Sequence, residues 1–191
     1  MKSGLPVDRD ALKLIANVAM LLDHVGAIFF PHLVELRVVG RLAYPLFLLL
    51  LVDALSRTRD VYRLQLRLLV LAAVSEVPYF LAFGHHGNVV AAFALSVWAT
   101  RGRLWRCVLV AIALHFGGFD YGWVTVFALV APDATTRWLF VSFQLIQRGG
   151  AFWYGLGSAL VPFVRIEHGK RWLPSWLGWS FYPAHLAVLV C

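Results

Sequence analysis

The stretch Lys13-Leu14-Ile15-Ala16-Asn17-Val18-Ala19-Met20-Leu21-Leu22-Asp23-His24-Val25-Gly26-Ala27-Ile28-Phe29-Phe30 decides the fold. It is apolar over most of its length, yet it carries Asp23 and His24 in its second half. It is too long for the apolar core of a secretory signal peptide, and Pro31-His32 follows where a small-residue cleavage site would stand. A retained first membrane span is the reading that follows.

The rest of the chain has the same character. Its 191 residues are 61% hydrophobic and 14% charged, with a mean hydropathy of +0.75. Soluble domains carry about 25% charged and about 45–50% apolar residues, and one domain of this length could not hide so much apolar surface from water. Apolar runs at roughly 11–30, 38–55, 64–83, 88–100, 104–118, 121–132, 136–148, 151–164 and 176–190 predict an all-α polytopic membrane protein. It has about nine transmembrane or re-entrant helices in one domain over 1–191. Several runs are shorter than the roughly 20 residues of a straight crossing, so re-entrant segments sheltered by neighbours are expected among them. Cys107 and Cys191 are far apart in apolar surroundings and offer no disulfide framework or zinc spacing.

The formal charge of +7 does not point to nucleic acid. The basic residues flank apolar runs and form no single patch with interleaved aromatics. Flanking charge is an orientation signal. With the N-terminus inside, the inner segments hold Lys2, Arg9 and Lys13; Arg57, Arg59, Arg63 and Arg67; Arg101, Arg103 and Arg106; Arg137; and Arg165, Lys170 and Arg171. These are fourteen of the 17 basic residues. Arg37, Arg41 and Arg148 fall outside and need a reason of their own.

Ionisable side chains at membrane depth cost at least a few kcal/mol each, so each should pair or serve a function. In this topology Asp23 and His24 lie in the outer half of the first span, and Arg37 and Arg41, four apart, share one helical face. Glu76, His115, Asp120, Gln144, Arg148 and His185 fall at similar depth, whereas Asp53 is inside, within i,i+4 reach of Arg57. A structural ion-pair network is the plain explanation of such a cluster. A metal site from His24, His115 and His185 with Asp23 or Glu76 lacks any short ligand spacing, and no metal is expected. The His85-His86 pair beside Gly84 and Gly87 reads as an exposed turn. Lys13, Asn17, Met20 and His24 share a face of the first span, with Lys13 and His24 roughly 16 Å apart along its axis. A cation at the inner mouth and a proton acceptor deep on the same face describe a slot for a phosphate-bearing donor.

The run Leu14–Ala27 resembles the opening of TraX-family proteins. So do Arg37-Val38-Val39-Gly40-Arg41-Leu42-Ala43-Tyr44-Pro45, Ser75-Glu76-Val77-Pro78-Tyr79, Tyr121-Gly122-Trp123 and Phe181-Tyr182-Pro183-Ala184-His185-Leu186, in that order. The family is known for acetylating the N-terminus of conjugative pilin in the inner membrane. It is similar to a wider set of transmembrane acyltransferases, whose first span carries a basic residue, ten residues and a histidine, as Lys13 and His24 do here. Their Arg-three-residues-Arg motif followed by proline is reproduced by Arg37, Arg41 and Pro45.

The resemblance implies transfer of an acetyl group from cytoplasmic acetyl-CoA to an amine or hydroxyl at the outer side of the inner membrane. The acceptor, a peptide N-terminus or a glycan hydroxyl, stays open. His24 is then the general base. Adjacent helical residues point about 100° apart, so Glu76 or Asp120 is expected to orient His24, while Asp23 holds Arg37 or Arg41. One of those arginines stabilises the oxyanion. Lys13, with Arg57 or Arg171, attracts the CoA phosphates. Asn17, Asp120, Tyr121, Tyr182 and His185 complete the substrate sites, with Tyr182 and His185 closing the pocket. Direct transfer and an acyl-His24 intermediate both stay open. The rivals are a proton-coupled transporter, for which no repeat or pair of matching broken helices is present, and a non-catalytic membrane-complex subunit, which would not need the slot from Lys13 to His24.

Overall fold

The computed structural model describes residues 5–131, 133–149 and 161–190. In chain order these form β1 (Leu5–Asp8), α1 (Arg9–Ile28), α2 (Val34–Gly40), α3 (Ala43–Arg57), α4 (Val61–Phe83), α5 (Val89–Thr100), α6 (Leu104–Phe116), α7 (Gly122–Val130), α8 (Ala134–Gly149), β2 (Val164–Glu167) and α9 (Ser175–Val190). The protein is therefore mostly helical. Among the described residues three helical stretches are long and apolar enough to cross a membrane: Arg9–Ile28, Val34–Arg57 and Val61–Phe83. The helices Val89–Thr100 and Leu104–Phe116 and the stretch Ser180–Val190 are apolar but shorter.

Three sequence expectations change. The second span begins earlier than 38 and is interrupted by a turn at Arg41-Leu42. Pro45 has no N–H to donate to the Arg41 carbonyl four residues back, and its ring crowds that carbonyl, so the ladder breaks there and restarts as α3. The run at 151–164 lies largely outside the described residues. Its described end is a 3₁₀ turn at Val161–Phe163 that leads into a strand. The chain is also not purely α. Strands β1 and β2 pair in parallel, with Leu5 opposite Val164 and Asp8 opposite Glu167. Four-residue strands are too short for their periodicity to be read from sequence, and Pro6 is tolerated because both strands of a two-stranded sheet are edges.

The chain divides into two compact units, Met1–Arg57 with Val141–Tyr182 and Thr58–Phe140 with Pro183–Cys191. In the first, carboxylates tie the start of α1 to the segment after β2. Asp8 caps α1, its Oδ1 accepting from the Asp10 and Ala11 backbone N–H groups at 3.0 and 3.1 Å and from the Trp172 indole at 2.9 Å. Buried Asp10 accepts from the Trp172 and Leu173 N–H groups and from Lys13 Nζ at 2.6 Å. Asp53 on α3 meets Arg9 at 3.6 Å, Arg57 at 4.0 Å and His168 at 3.1 Å.

The Ala11 N–H and then the Trp172 indole hold the Asp8 carboxyl below its ordinary value of 3.8. A folded-state value below the unfolded one makes the carboxylate's contribution complete above about 3.8. That contribution is lost as pH falls through the lowered folded value. The melting difference between the protein and Asp8→Ala should accordingly be constant near neutrality and narrow in acid. A difference that widens in acid would contradict the capping role.

In the second unit α5 is buried nearly all round, at Val90, Ala92, Phe93, Ala94, Ser96, Val97 and Ala99, as a central helix should be. Its Ala92 and Ala99 let α6 and α7 approach closely, through Cys107, Val110, Ala111 and Leu114 on α6 and Val126 on α7. By contrast α4 exposes Leu66, Val70, Val74, Val77 and Leu81. Such an apolar row suits lipid and not water.

Candidate active site

The first unit brings Asp23, Arg37 and Arg41 together. Asp23 Oδ1 lies 3.1 Å from Arg37 Nη1 and 3.8 Å from Arg41 Nε, and Arg37 Nη1 also donates to the Asp23 backbone carbonyl at 2.9 Å. All three side chains are largely withdrawn from solvent, at 13%, 23% and 12% exposure. The clasp depends on two glycines. A Cβ on Gly40 would stand 2.5 Å from Asp23 Cα and 2.7 Å from its backbone N, and one on Gly26 would stand 2.9 Å from Leu36 Cβ. Without side chains at these crossings α2 lies directly on α1, close enough for two arginines one helical turn apart to reach one carboxylate.

His24 follows Asp23 on α1 and is partly buried, its ring centroid 6.5 Å from that of Tyr182. Two guanidiniums share one carboxylate, so this trio carries a net positive charge one residue from His24. A guanidinium has five N–H donors, more than one carboxylate can use. Asn17 and Met20, on the His24 face of α1, are buried. Lys13, at the other end of that face, rests its ammonium on Asp10.

The remaining predicted carboxylates have local partners in the second unit. Glu76 on α4 organises the α4–α5 turn. Its Oε1 accepts from the Gly87 N–H at 2.9 Å and approaches His86 Nδ1 at 3.2 Å, while its Oε2 accepts from Asn88 Nδ2 at 2.6 Å. Asn88 in turn caps α5 through the Val90 and Ala91 N–H groups. Asp120 Oδ2 accepts from the buried Tyr79 hydroxyl at 2.5 Å, and His85 Nε2 lies 3.3 Å from the same hydroxyl. Tyr121 is buried in a left-handed conformation at φ 58° where α7 begins. His185 on α9 is buried. The Arg148 side chain lies outside the described residues. Among the described residues no group of three or more His, Cys, Asp or Glu side chains is arranged to hold a metal ion.

Sequence reasoning passed over Tyr79, His85 and Asp10. Tyr79 stands three residues after Glu76 and so near its face of α4, a signal that was present. The exposed His85-His86 turn is engaged on both sides, His86 stacking on Phe80 at 4.5 Å. Asp10 gave no signal as an anchor for the segment after β2, because the N–H groups of Trp172 and Leu173 that it accepts from lie more than 160 positions away.

Comparison with known proteins shows the family. The TraX protein family model matches residues 8–191. The chain is similar to Protein TraX of Escherichia coli, 31% identical over 96% of this chain and 86% of that protein, with the same figures for Protein TraX of strain K12. A shorter similarity, 44% identity over 39 residues, links 20% of the chain to 16% of the uncharacterized Rickettsia prowazekii protein RP591. No solved structure matches. With the family model covering nearly the whole chain, from the cap of α1 to the end of α9, the chain belongs to the TraX family.

Proposed function

We propose that this protein is an inner-membrane acetyltransferase that moves an acetyl group from cytoplasmic acetyl-CoA to an amine at the outer side, with a peptide N-terminus such as that of pilin as the amine acceptor and a glycan hydroxyl as the alternative. The observation that carries the reading is the Asp23–Arg37–Arg41 clasp beside His24. A structural salt bridge needs one arginine. Two arginines on one carboxylate bring a net positive charge beside His24, and an oxyanion is the anion that acyl transfer creates.

In this reading the acceptor nitrogen attacks the thioester carbonyl carbon, a C–N bond forms and the carbonyl π electrons move to oxygen. Arg37 or Arg41 donates hydrogen bonds to that oxyanion. His24 takes the proton released by the nitrogen. Collapse re-forms the carbonyl, breaks the C–S bond and expels CoA thiolate, which takes the proton from His24. The sum is an amide and free CoA. Asp23 acts by positioning: it fixes the guanidiniums in advance, so no reorganisation is needed as charge develops. Asn17 and Tyr182 shape the site. Lys13 is shared between Asp10 and the donor's phosphates. Glu76 or Asp120 is the carboxylate that would orient His24, beside the part that Glu76 plays in the α4–α5 turn and Asp120 plays as acceptor for Tyr79.

Acetyl-CoA should raise the melting temperature of the detergent-solubilised protein as its concentration rises. The stabilisation at a hundredfold excess over the dissociation constant is about 2.7 kcal/mol. Acetate and unrelated nucleotides should do nothing. An unchanged melting temperature at millimolar acetyl-CoA would end the acetyl-CoA reading.

A further inference from the structure

We propose that the start of α4 and the α5–α6 turn form a headgroup site for an anionic phospholipid. A groove of about 400 Å³ runs along the first turns of α4, lined by Asp60, Tyr62, Arg63, Gln65, Leu66 and Leu69. Its lining changes from polar to apolar along the helix. That gradient fits a lipid standing beside a span, its headgroup at the helix end and its chain against the exposed row that continues through Val70, Val74 and Val77.

The polar end is strongly basic. Arg59, Arg63 and Arg67 come from the approach to α4 and its first turns, and Arg101, Arg103 and Arg106 from the α5–α6 turn, against the one acid Asp60. The fold brings the two groups together: the Arg101 guanidinium lies 3.5 Å over the Tyr62 ring. Arg106 lies 5.0 Å from the Trp98 ring centroid and 5.6 Å from that of Trp105. It folds across Gly102, where a Cβ would collide with its side chain. Stacking on rings fixes guanidiniums in place and leaves their N–H edges for phosphate oxygens. Tyr62, Trp98 and Trp105 are themselves exposed, as residues of a membrane-interface belt are.

Orientation in the membrane needs only the charges. Stacked arginines beside a groove that turns apolar within one helical turn supply more, a place for a headgroup and the top of its chain. A soluble phosphate would use the polar half alone. The inference is independent of the acetyl-transfer reading.

Thermal melting and native mass spectrometry of the full chain in detergent test it, with phosphatidylglycerol, phosphatidylcholine and glycerol 3-phosphate as probes. Phosphatidylglycerol should raise the melting temperature and stay bound, phosphatidylcholine should bind more weakly, and glycerol 3-phosphate should have no effect. Arg63→Gln and Arg101→Gln should each weaken phosphatidylglycerol binding about fivefold, the worth of one basic residue near an anionic surface. The Arg63 side chain is 81% exposed, so its removal leaves the fold intact and the result readable. Equal binding of phosphatidylcholine would overturn the proposal. So would an equal shift from glycerol 3-phosphate, which would mark a soluble-anion site, or undiminished phosphatidylglycerol affinity in Arg63→Gln.

Discussion

His24→Ala is expected to leave expression, melting temperature and acetyl-CoA binding close to those of the parent while acetyl transfer falls by at least about 10²-fold, the lower range for a lost acid–base catalyst. The separation follows from the role proposed for His24, which is partly buried: a base acts on the proton in transfer, whereas the Asp23–Arg37 and Asp23–Arg41 pairs join α1 to the segment after it. Truncating it removes a ring 6.5 Å from that of Tyr182 and leaves the side chains of Asp23, Arg37 and Arg41 themselves unchanged. Arg37→Lys and Arg41→Lys give the complementary result. Each keeps the positive charge and can still meet Asp23, but loses the planar fork that serves a carboxylate and an oxyanion together. Transfer should fall in these variants despite the conservative change. Melting and transfer are best measured on the same His24→Ala preparation. If that preparation is intact and transfers acetyl at the parent rate, His24 is not the base. If it melts far lower, His24 is a packing residue.

Gly40→Val should be the most damaging small substitution in the first unit. Its Cβ would overlap Asp23 backbone atoms on α1, at 2.5 Å from Cα and 2.7 Å from N. Backbone cannot move aside as the end of a flexible side chain can, so α2 must shift bodily. Overpacking of this kind costs about 1–3 kcal/mol. The same shift draws Arg37 and Arg41 away from Asp23, so transfer should fall together with stability, unlike in His24→Ala. Gly178→Ala is the control. Nothing lies within 4 Å of its added methyl, and exchanging Gly for Ala in a helix is favourable by up to about 1 kcal/mol. A Gly40→Val protein with parental melting and transfer would mean that the close approach of α1 and α2 is unimportant to the site.

Much of this architecture could be read from the order of residues because the cost of charge in lipid restricts where charge can go. Asp23 in an apolar run required a partner, and Arg37 and Arg41 at one helical face were candidates for it; the structure gives Asp23 both. The helices α4 and α5 were legible from apolar runs bounded by Asp60, the Gly84–Asn88 turn and the Arg101–Arg103 turn. What escaped was set by tertiary contact. Nothing local marks Asp10 as the acceptor for N–H groups at Trp172 and Leu173, nor makes Val164–Glu167 a strand instead of the end of an apolar helix. Glu76 was legible as a carboxylate that needs partners at membrane depth. Those partners, a backbone N–H and the Asn88 amide, are supplied by a turn whose shape depends on left-handed Gly84 and Gly87, which the residue order does not announce.

The pairing of β1 with β2 has a consequence for how the molecule is made. Leu5 leaves the ribosome well before its partner Val164, which is roughly 160 positions later. At about 5–20 residues per second of synthesis, that is an interval on the order of 10 s. During it α1 can enter the bilayer and meet α2, while the strand before it lacks its partner and the carboxylates of Asp8 and Asp10 have only their local partners, the Asp10 and Ala11 N–H groups and the Lys13 ammonium. The closing of this short sheet is therefore a late step in biogenesis, and it is of very high contact order. A chain truncated before residue 164 would hold its first helices in the membrane with their leading edge unfastened. Protease sensitivity ahead of Arg9 would then report, in a growing chain, whether the strand Val164–Glu167 has arrived.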